Sequence, residues 1–353
     1  MFKTFDDFIN KSQWVDIISH YKSISKTIEE NINSTLEKEK ANFEKLRAFI
    51  RQNYTICKIN ENLLKDCKKE LISGNIVGVD GTYITVDFTT GFQARIGIVA
   101  TNYKNSRQSY TTYIYEPFID YTKEDIMEQL KELKKKYEHH ERINSMQIRA
   151  VMLFMERRIV LGRPEEYKLV QGDIFPYELR TGQGKLRGLN TCLSLGEQLL
   201  TNRKIIAIQT STTDPRLRYL GRGLESGEYV VLYDYCYVLN DYLETAHFND
   251  YDMGLFKRFI ANNTGNFVLG IYKFKKRSYV FQCHKENVER LIHIVFADSS
   301  FQPVRGYPLL LDYADIVCSK MLSASDFKHQ LEVKLAKHEE LEYDIDESIL
   351  RRR

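Results

Sequence analysis

No stretch of this sequence approaches the ~18 uninterrupted apolar residues that a membrane-crossing helix needs. The opening Met1-Phe-Lys-Thr-Phe-Asp-Asp carries acids where a secretory leader has its basic region, so the expectation is a cytoplasmic protein with no membrane partner. The six cysteines, Cys57, Cys67, Cys192, Cys236, Cys283 and Cys318, include no C-x-x-C pair. That argues against a zinc site or a disulfide framework and for reduced, buried or idle thiols. A large excess of charge is missing too: the net charge is +3, which permits nucleic-acid binding without arguing for it. There is no internal repeat and no low-complexity linker. The run Gly182-Gln-Gly184-Lys185-Leu-Arg187-Gly188 lacks the G-x-x-x-x-G-K-[ST] spacing of a nucleotide-binding loop, which disfavours a P-loop hydrolase and leaves a strand-admitting loop or a plain connection.

What remains is a chain of 353 residues, 43% hydrophobic and 28% charged, enough for one large domain with extensions or two modest ones. Residues 13–70 contain no Gly or Pro and place Ile24, Ile28, Ile32 and Leu36 at helical spacing, which predicts a helical arm of one or two long helices. The texture changes at Ser73-Gly74. Residues 75–88, 92–100 and 109–116 read as three strands of an antiparallel meander. A helical stretch over 123–161 follows, with a break near His139-His140, and Gly162-Arg-Pro164 closes it. Strands are then expected at 167–172, 204–209, 228–239 and 267–283, and helices at 193–200, 286–296 and 312–322. The order is mixed α/β, divided into a helical arm (1–70), an α/β core (71–330) and a C-terminal helix and tail (331–353) ending in Arg351-Arg352-Arg353.

Three acids stand out against this background. Asp80 follows Ile76, Val77 and Val79, so it interrupts a strand that otherwise reads as buried, and Gly81 beside it admits close approach of a ligand or another backbone. A turn-capping Asp-Gly in a hairpin is the competing reading. Glu156 sits on a helix face whose neighbours three and four residues away are Met152, Leu153, Ile159 and Val160, with Arg149, Arg157 and Arg158 on the flanks. A core salt bridge to one of those arginines competes there with metal ligation. Asp173 ends the strand containing Leu169 and Val170. Three converging carboxylates repel without cations, and two Mg²⁺ or Mn²⁺ ions about 4 Å apart are the natural neutraliser. The chemistry implied is phosphodiester hydrolysis.

Val77-Gly-Val-Asp80-Gly-Thr82, the helical segment from Arg149 to Arg158 with Glu156, and Arg305-Gly-Tyr307-Pro308-Leu-Leu-Leu-Asp-Tyr-Ala314-Asp315 resemble the successive motifs of the NurA nucleases over roughly residues 70–325. The resemblance implies an RNase H-like core and manganese-dependent exonuclease and single-strand endonuclease activity on DNA. It also implies a dimer and a partnership with the hexameric HerA translocase in DNA-end processing, for repair or phage defence. It makes Asp80, Glu156 and Asp173 the metal ligands, Tyr307 the tyrosine near the reacting phosphate and Asp315 a further acid. Two features depart from the family pattern. Gly172 precedes Asp173 and Ile174 follows it where an Asp-Gly-Ser run is usual, and Asp315 stands where a histidine is common.

Two other readings compete. Asp80-Gly-Thr82 could be the first phosphate loop of an actin-like ATPase or sugar kinase, although no second glycine-rich Asp loop accompanies it. A catalytically degenerate adaptor on a translocase ring is the non-enzymatic alternative. The cation–aromatic runs Arg216–Arg222 and Lys273–Tyr279 are candidate DNA contacts or ordinary surface. His139-His140 reads as a solvated helix face.

Overall fold

The computed structural model describes residues 17–88, 91–104, 107–117, 145–182, 187–210 and 214–322, with a few isolated positions besides. His139, His140, Gly184, Lys185 and the Arg351–Arg353 tail lie outside the described residues. The chain divides into two compact units, 1–53 and 54–353. The first contains α1 (Ile17–Asn53), a helix of 37 residues uninterrupted by Gly or Pro.

The stretch read as one or two long helices holds two, with a short strand between them. Residues 56–58 form strand β1 (Ile56–Lys58), and Asn60 then starts helix α2 (Glu61–Ile72) by accepting from the backbone N–H groups of Asn62 and Leu63 at 2.9 and 3.4 Å. An N-cap asparagine is the physical reason that the second helix starts there. Both elements belong to the second unit, where β1 pairs with the seventh strand.

The second unit is built on a nine-stranded mixed sheet of order β1-β7-β8-β9-β6-β5-β2-β3-β4. Strands β2 (Ile76–Phe88), β3 (Gly91–Thr101) and β4 (Arg107–Pro117) form the expected antiparallel meander. Strand β2 then pairs in parallel with β5 (Tyr167–Gln171), and β5 with β6 (Ile205–Gln209), which completes an RNase H-like core. Strands β7 (Glu228–Asp234), β8 (Phe267–Phe274) and β9 (Arg277–His284) extend it with antiparallel pairs.

Two sequence expectations shift here. The strand read over 228–239 stops at Asp234, whose Oδ1 accepts the N–H of Cys236 at 2.7 Å and so opens a helix in the middle of an apolar run. The strand read over 267–283 is a tight hairpin. Lys275 takes a positive φ of 51° at the turn, a conformation glycine or asparagine would have announced and lysine concealed.

Helices cover both faces. Helix α3 (Ser145–Gly162) packs on one face of β2 and β3. Then come α4 (Tyr177–Arg180), α5 (Leu189–Leu200), α6 (Pro215–Gly223), α7 (Cys236–Thr245), α8 (Asp250–Asn263) and α9 (Val288–Ser299). Helix α10 (Leu309–Leu322) crosses the other face of β2 and β3. Strict alternation divides the buried parallel strands: Val77, Val79, Val170 and Ala207 join one core with Val160, Leu199 and Phe256, whereas Ile76, Leu169, Ile206 and Ile208 join a second with Leu291, Leu310 and Leu311. Among the described residues no helix is long and apolar enough to cross a membrane.

Helix α10 comes into backbone contact with β2 at Gly78, where an added Cβ would lie 2.9 Å from the Leu310 carbonyl carbon. Backbone cannot give way as a flexible side chain can, so Gly78→Ala is expected to destabilise the fold by ~1–3 kcal/mol. Chemical denaturation measures it; an unchanged midpoint would contradict this packing.

Candidate active cleft

Strand β2 runs straight through Asp80-Gly81-Thr82, with Asp80 opposite Val99 and Gly81 opposite Ile98 on β3, so this Asp-Gly is not a hairpin turn. Asp80 is 4% exposed and accepts the adjacent Gly81 N–H at 2.9 Å. Gly81 is the opening through which helix α3 reaches it. A Cβ there would lie 3.1 Å from Met152 Cγ and 3.3 Å from Glu156 Oε2, so the missing side chain lets the Glu156 carboxylate come against the strand beside Asp80. Glu156 is 1% exposed. Burial pushes the Asp80 carboxyl well above its ordinary range, and the charges of Glu156 and Asp315 push it further. Burial also raises Glu156, against the lowering pull of Arg157 and Arg149.

One buried cation offsets this charge. Arg157 is fully buried, and its Nη1 donates to Glu156 Oε1. Its Nη2 donates to the carbonyls of Gln171 and Asp173 at 2.7 and 2.6 Å, and its Nε to that of Ile174 at 3.3 Å. The core salt bridge weighed from the sequence is therefore present, and the same guanidinium clamps the loop after β5. Arg157 had a signal that sequence reasoning passed over: Leu153, Phe154, Val160 and Leu161, its neighbours three and four residues away, are all apolar.

The third acid is engaged differently. Gly172 turns the chain at φ 84°, and Asp173 then accepts from Arg180 Nη2 at 2.6 Å, the Tyr235 hydroxyl at 2.5 Å and the Phe175 N–H at 3.0 Å. Arg180 and Tyr235 are themselves buried, so Asp173 serves here as the counter-ion of a buried guanidinium. All three acids nevertheless line one open cleft of about 820 Å³, together with Gln171, Arg216, Tyr233 and Gln282. Asp315 on α10 approaches Asp80 from the opposite face, half-buried, with its charge felt at both Asp80 and Cys318. Tyr307 is sealed in the core, its hydroxyl 3.4 Å from Gln171 Oε1 and from the Ile208 carbonyl. Burial pushes that hydroxyl well above its ordinary range, and the charge of Asp80 adds to the effect.

The structure thus brings Asp80, Glu156 and Asp315 into one electrostatic neighbourhood and places Asp173 on the cleft wall. Among the described residues no group of three or more His, Cys, Asp or Glu side chains is drawn together as a complete cation cage. Of the two cation–aromatic runs, Arg216 lines the cleft, whereas Lys273 is turned inward to the carbonyls of Arg222 and Leu224 at 2.9 and 2.7 Å. Tyr279 likewise donates to the Arg305 carbonyl at 2.6 Å.

The two kinds of acid should respond oppositely to neutralisation in metal-free protein. A carboxyl raised above its unfolded value, as Asp80 is, destabilises the fold increasingly as pH rises from the unfolded pKa towards the folded one, and the full cost is present above both. At neutral pH without metal, Asp80→Asn is therefore expected to raise the melting temperature by a few degrees. Asp173→Ala, which leaves the buried Arg180 without its partner, is expected to lower stability by ~3 kcal/mol. Differential scanning calorimetry in EDTA checks the pair; shifts of the same sign would contradict the distinction.

No protein-family model matches this sequence, and no curated protein does. Among solved structures, the NurA nuclease from Sulfolobus solfataricus superposes with a TM-score of 0.50 at 12% identity, over 90% of this chain and 98% of that one. A further structure of NurA gives 0.47 at 12% identity over 87% and 97%, and one of NurA bound to dAMP and manganese gives 0.44 at 12% over 85% and 93%. Likeness at this identity establishes architecture. The chain has the fold of the Sulfolobus NurA nuclease, an RNase H-like mixed sheet flanked by helices and preceded by a long N-terminal helix.

Proposed function

We propose that the protein is a divalent-metal-dependent deoxyribonuclease of the NurA type, acting at the cleft that holds Asp80 and Glu156. The observation that carries this reading is the juxtaposition of two carboxylates, 4% and 1% exposed, with their ordinary acidity suppressed, on the wall of an open cleft. Buried acids in that arrangement are costly unless a cation joins them. Their oxygens are hard donors, which fits Mg²⁺ or Mn²⁺ rather than a thiolate-seeking metal.

Asp80 and Glu156 would hold the metal, and Asp315 adds negative charge from the α10 side. Asp173 is the third proposed ligand; to bind, it exchanges the Arg180 guanidinium for the cation. A pair of bound ions would supply a nucleophilic water and stabilise charge on the phosphate and the leaving oxygen. The chain's own contribution is positional. Arg157 fixes Glu156 and the loop carrying Asp173 in one rigid arrangement, and Arg149 and Arg216 offer cations to substrate phosphates at the cleft's rim. Tyr307 supports the site from beneath through Gln171.

The rest of the reading follows the likeness in fold. It comprises exonuclease and single-strand endonuclease cleavage, a homodimer, a HerA-type hexameric ATPase as partner, a cytoplasmic location, and a role in repair or antiviral defence. The actin-like kinase alternative loses its support because Asp80-Gly-Thr82 lies within a continuous strand that extends to Phe88 and forms no phosphate loop. The adaptor alternative is decided by activity.

Linear DNA labelled at the 5′ or 3′ end and incubated with Mn²⁺, with and without the translocase, tests the proposal. The wild-type protein is expected to degrade it, EDTA to stop degradation, and Asp80→Asn and Glu156→Gln each to reduce it below detection. A wild-type protein that degrades nothing even with the translocase present would establish the adaptor reading instead.

A further inference from the structure

The cleft has a second wall that contains none of the acids proposed to bind metal. Tyr233 on β7, Leu269 on β8 and Gln282 on β9 are successive partners across three antiparallel strands, so their side chains stand in one row on one face. All three line the cleft that Asp80 and Glu156 enter. Tyr237, at the start of α7, joins them; its ring centroid lies 5.2 Å from that of Tyr233, and the residue is 55% exposed. The row therefore offers aromatic faces, an aliphatic floor and an amide.

That amide is only half used. Gln282 is fully buried, and its Oε1 accepts the Ile174 N–H at 2.8 Å. A backbone N–H can only donate, so the carboxamide oxygen must face Ile174 and the amide nitrogen must point away. Nε2 is buried and has no hydrogen-bond partner among the described residues. Buried donors are nearly always satisfied, and one left open on the wall of a cleft fits an acceptor that a ligand brings.

We propose that this wall is a nucleobase subsite, in which an unpaired base of the DNA strand stacks on Tyr237 and Tyr233 and accepts a hydrogen bond from Gln282 Nε2. The inference rests on the nuclease reading and adds that the cleft takes an unstacked nucleotide, not an intact duplex. Stacking on tyrosine accepts every base, and each base carries ring-nitrogen or carbonyl acceptors, so the subsite selects for strandedness rather than sequence. Arg216, held by Asp214 at 2.7 Å, sets a fixed cation near the same rings for the strand's backbone.

Fluorescence anisotropy on the full chain tests this, with Ca²⁺ in place of Mn²⁺ and three probes: a short oligothymidylate, the same backbone without bases, and the same strand carrying a thymine isostere that stacks but cannot accept hydrogen bonds. Tyr237→Ala is expected to weaken oligothymidylate binding about tenfold and Tyr237→Phe to restore it. Neither substitution should move the melting temperature, since the side chain is exposed. The base-free backbone should bind wild type and Tyr237→Ala equally, and the isostere should bind wild type less tightly than thymine. Unchanged oligothymidylate binding by Tyr237→Ala, or an equal loss on the base-free backbone, would overturn the subsite. Cleavage of labelled DNA by the wild type in Mn²⁺, run alongside, separates the failures. If the wild type cleaves while Tyr237→Ala binds unchanged, the subsite alone is wrong; if it neither cleaves nor binds any probe, the nuclease reading falls with it.

Discussion

Two carboxylates forced together out of water, with one buried guanidinium against them, set the terms for the rest of this molecule. Arg157 offsets part of the electrostatic cost of Asp80 beside Glu156, and its remaining donors are taken by three carbonyls, that of Gln171 at the end of β5 and those of Asp173 and Ile174 in the loop after it. The acid pair, the helix that carries Glu156 and the loop that carries Asp173 are thereby tied into one unit. Removing Arg157 from this arrangement would strand the Glu156 charge and the carbonyls it holds in the core.

The backbone is shaped to allow it. Glycine appears twice in β2 at alternate-face positions with different purposes: Gly78 admits the backbone of α10 on one face, and Gly81 admits the side chains of α3 on the other. Both helices therefore press on the strand that bears Asp80, and acids from each, Asp315 and Glu156, reach it. Asp173 shows the contrasting solution to the same problem. Its charge is satisfied by Arg180, Tyr235 and a backbone N–H, so that in the folded protein it stabilises a loop, while among the described residues Asp80 accepts its neighbour's N–H alone.

The sequence made the strand acid and the helix acid legible because both interrupt apolar periodicity, which is a local pattern. The meander, the parallel strands and the late helix were legible for the same reason. Less could be seen of what depends on long-range pairing. Asp173 follows a strand as a ligand would, and only the fold shows Arg180 and Tyr235 closing on it. Gln282 is one polar residue in an apolar strand, and its half-satisfied amide exists only because Ile174, 108 positions earlier, presents an N–H to it. Tyr307 reads as a motif tyrosine, and packing between β6 and α10 decides that it is buried. The missed boundaries, at β1, at Asp234 and at Lys275, all fall where side-chain capping or a lysine in a left-handed turn replaced the glycine or proline that marks most breaks.

The central claim is that the buried acid pair is a cation site. Titrating metal-free protein with Mn²⁺ at neutral pH, followed by isothermal calorimetry and the loss of the free Mn²⁺ paramagnetic resonance signal, measures it directly. The account predicts saturable binding by the wild type that is lost in Asp80→Asn while the fold is retained. Equal Mn²⁺ binding by the two proteins, or none by the wild type, would contradict it.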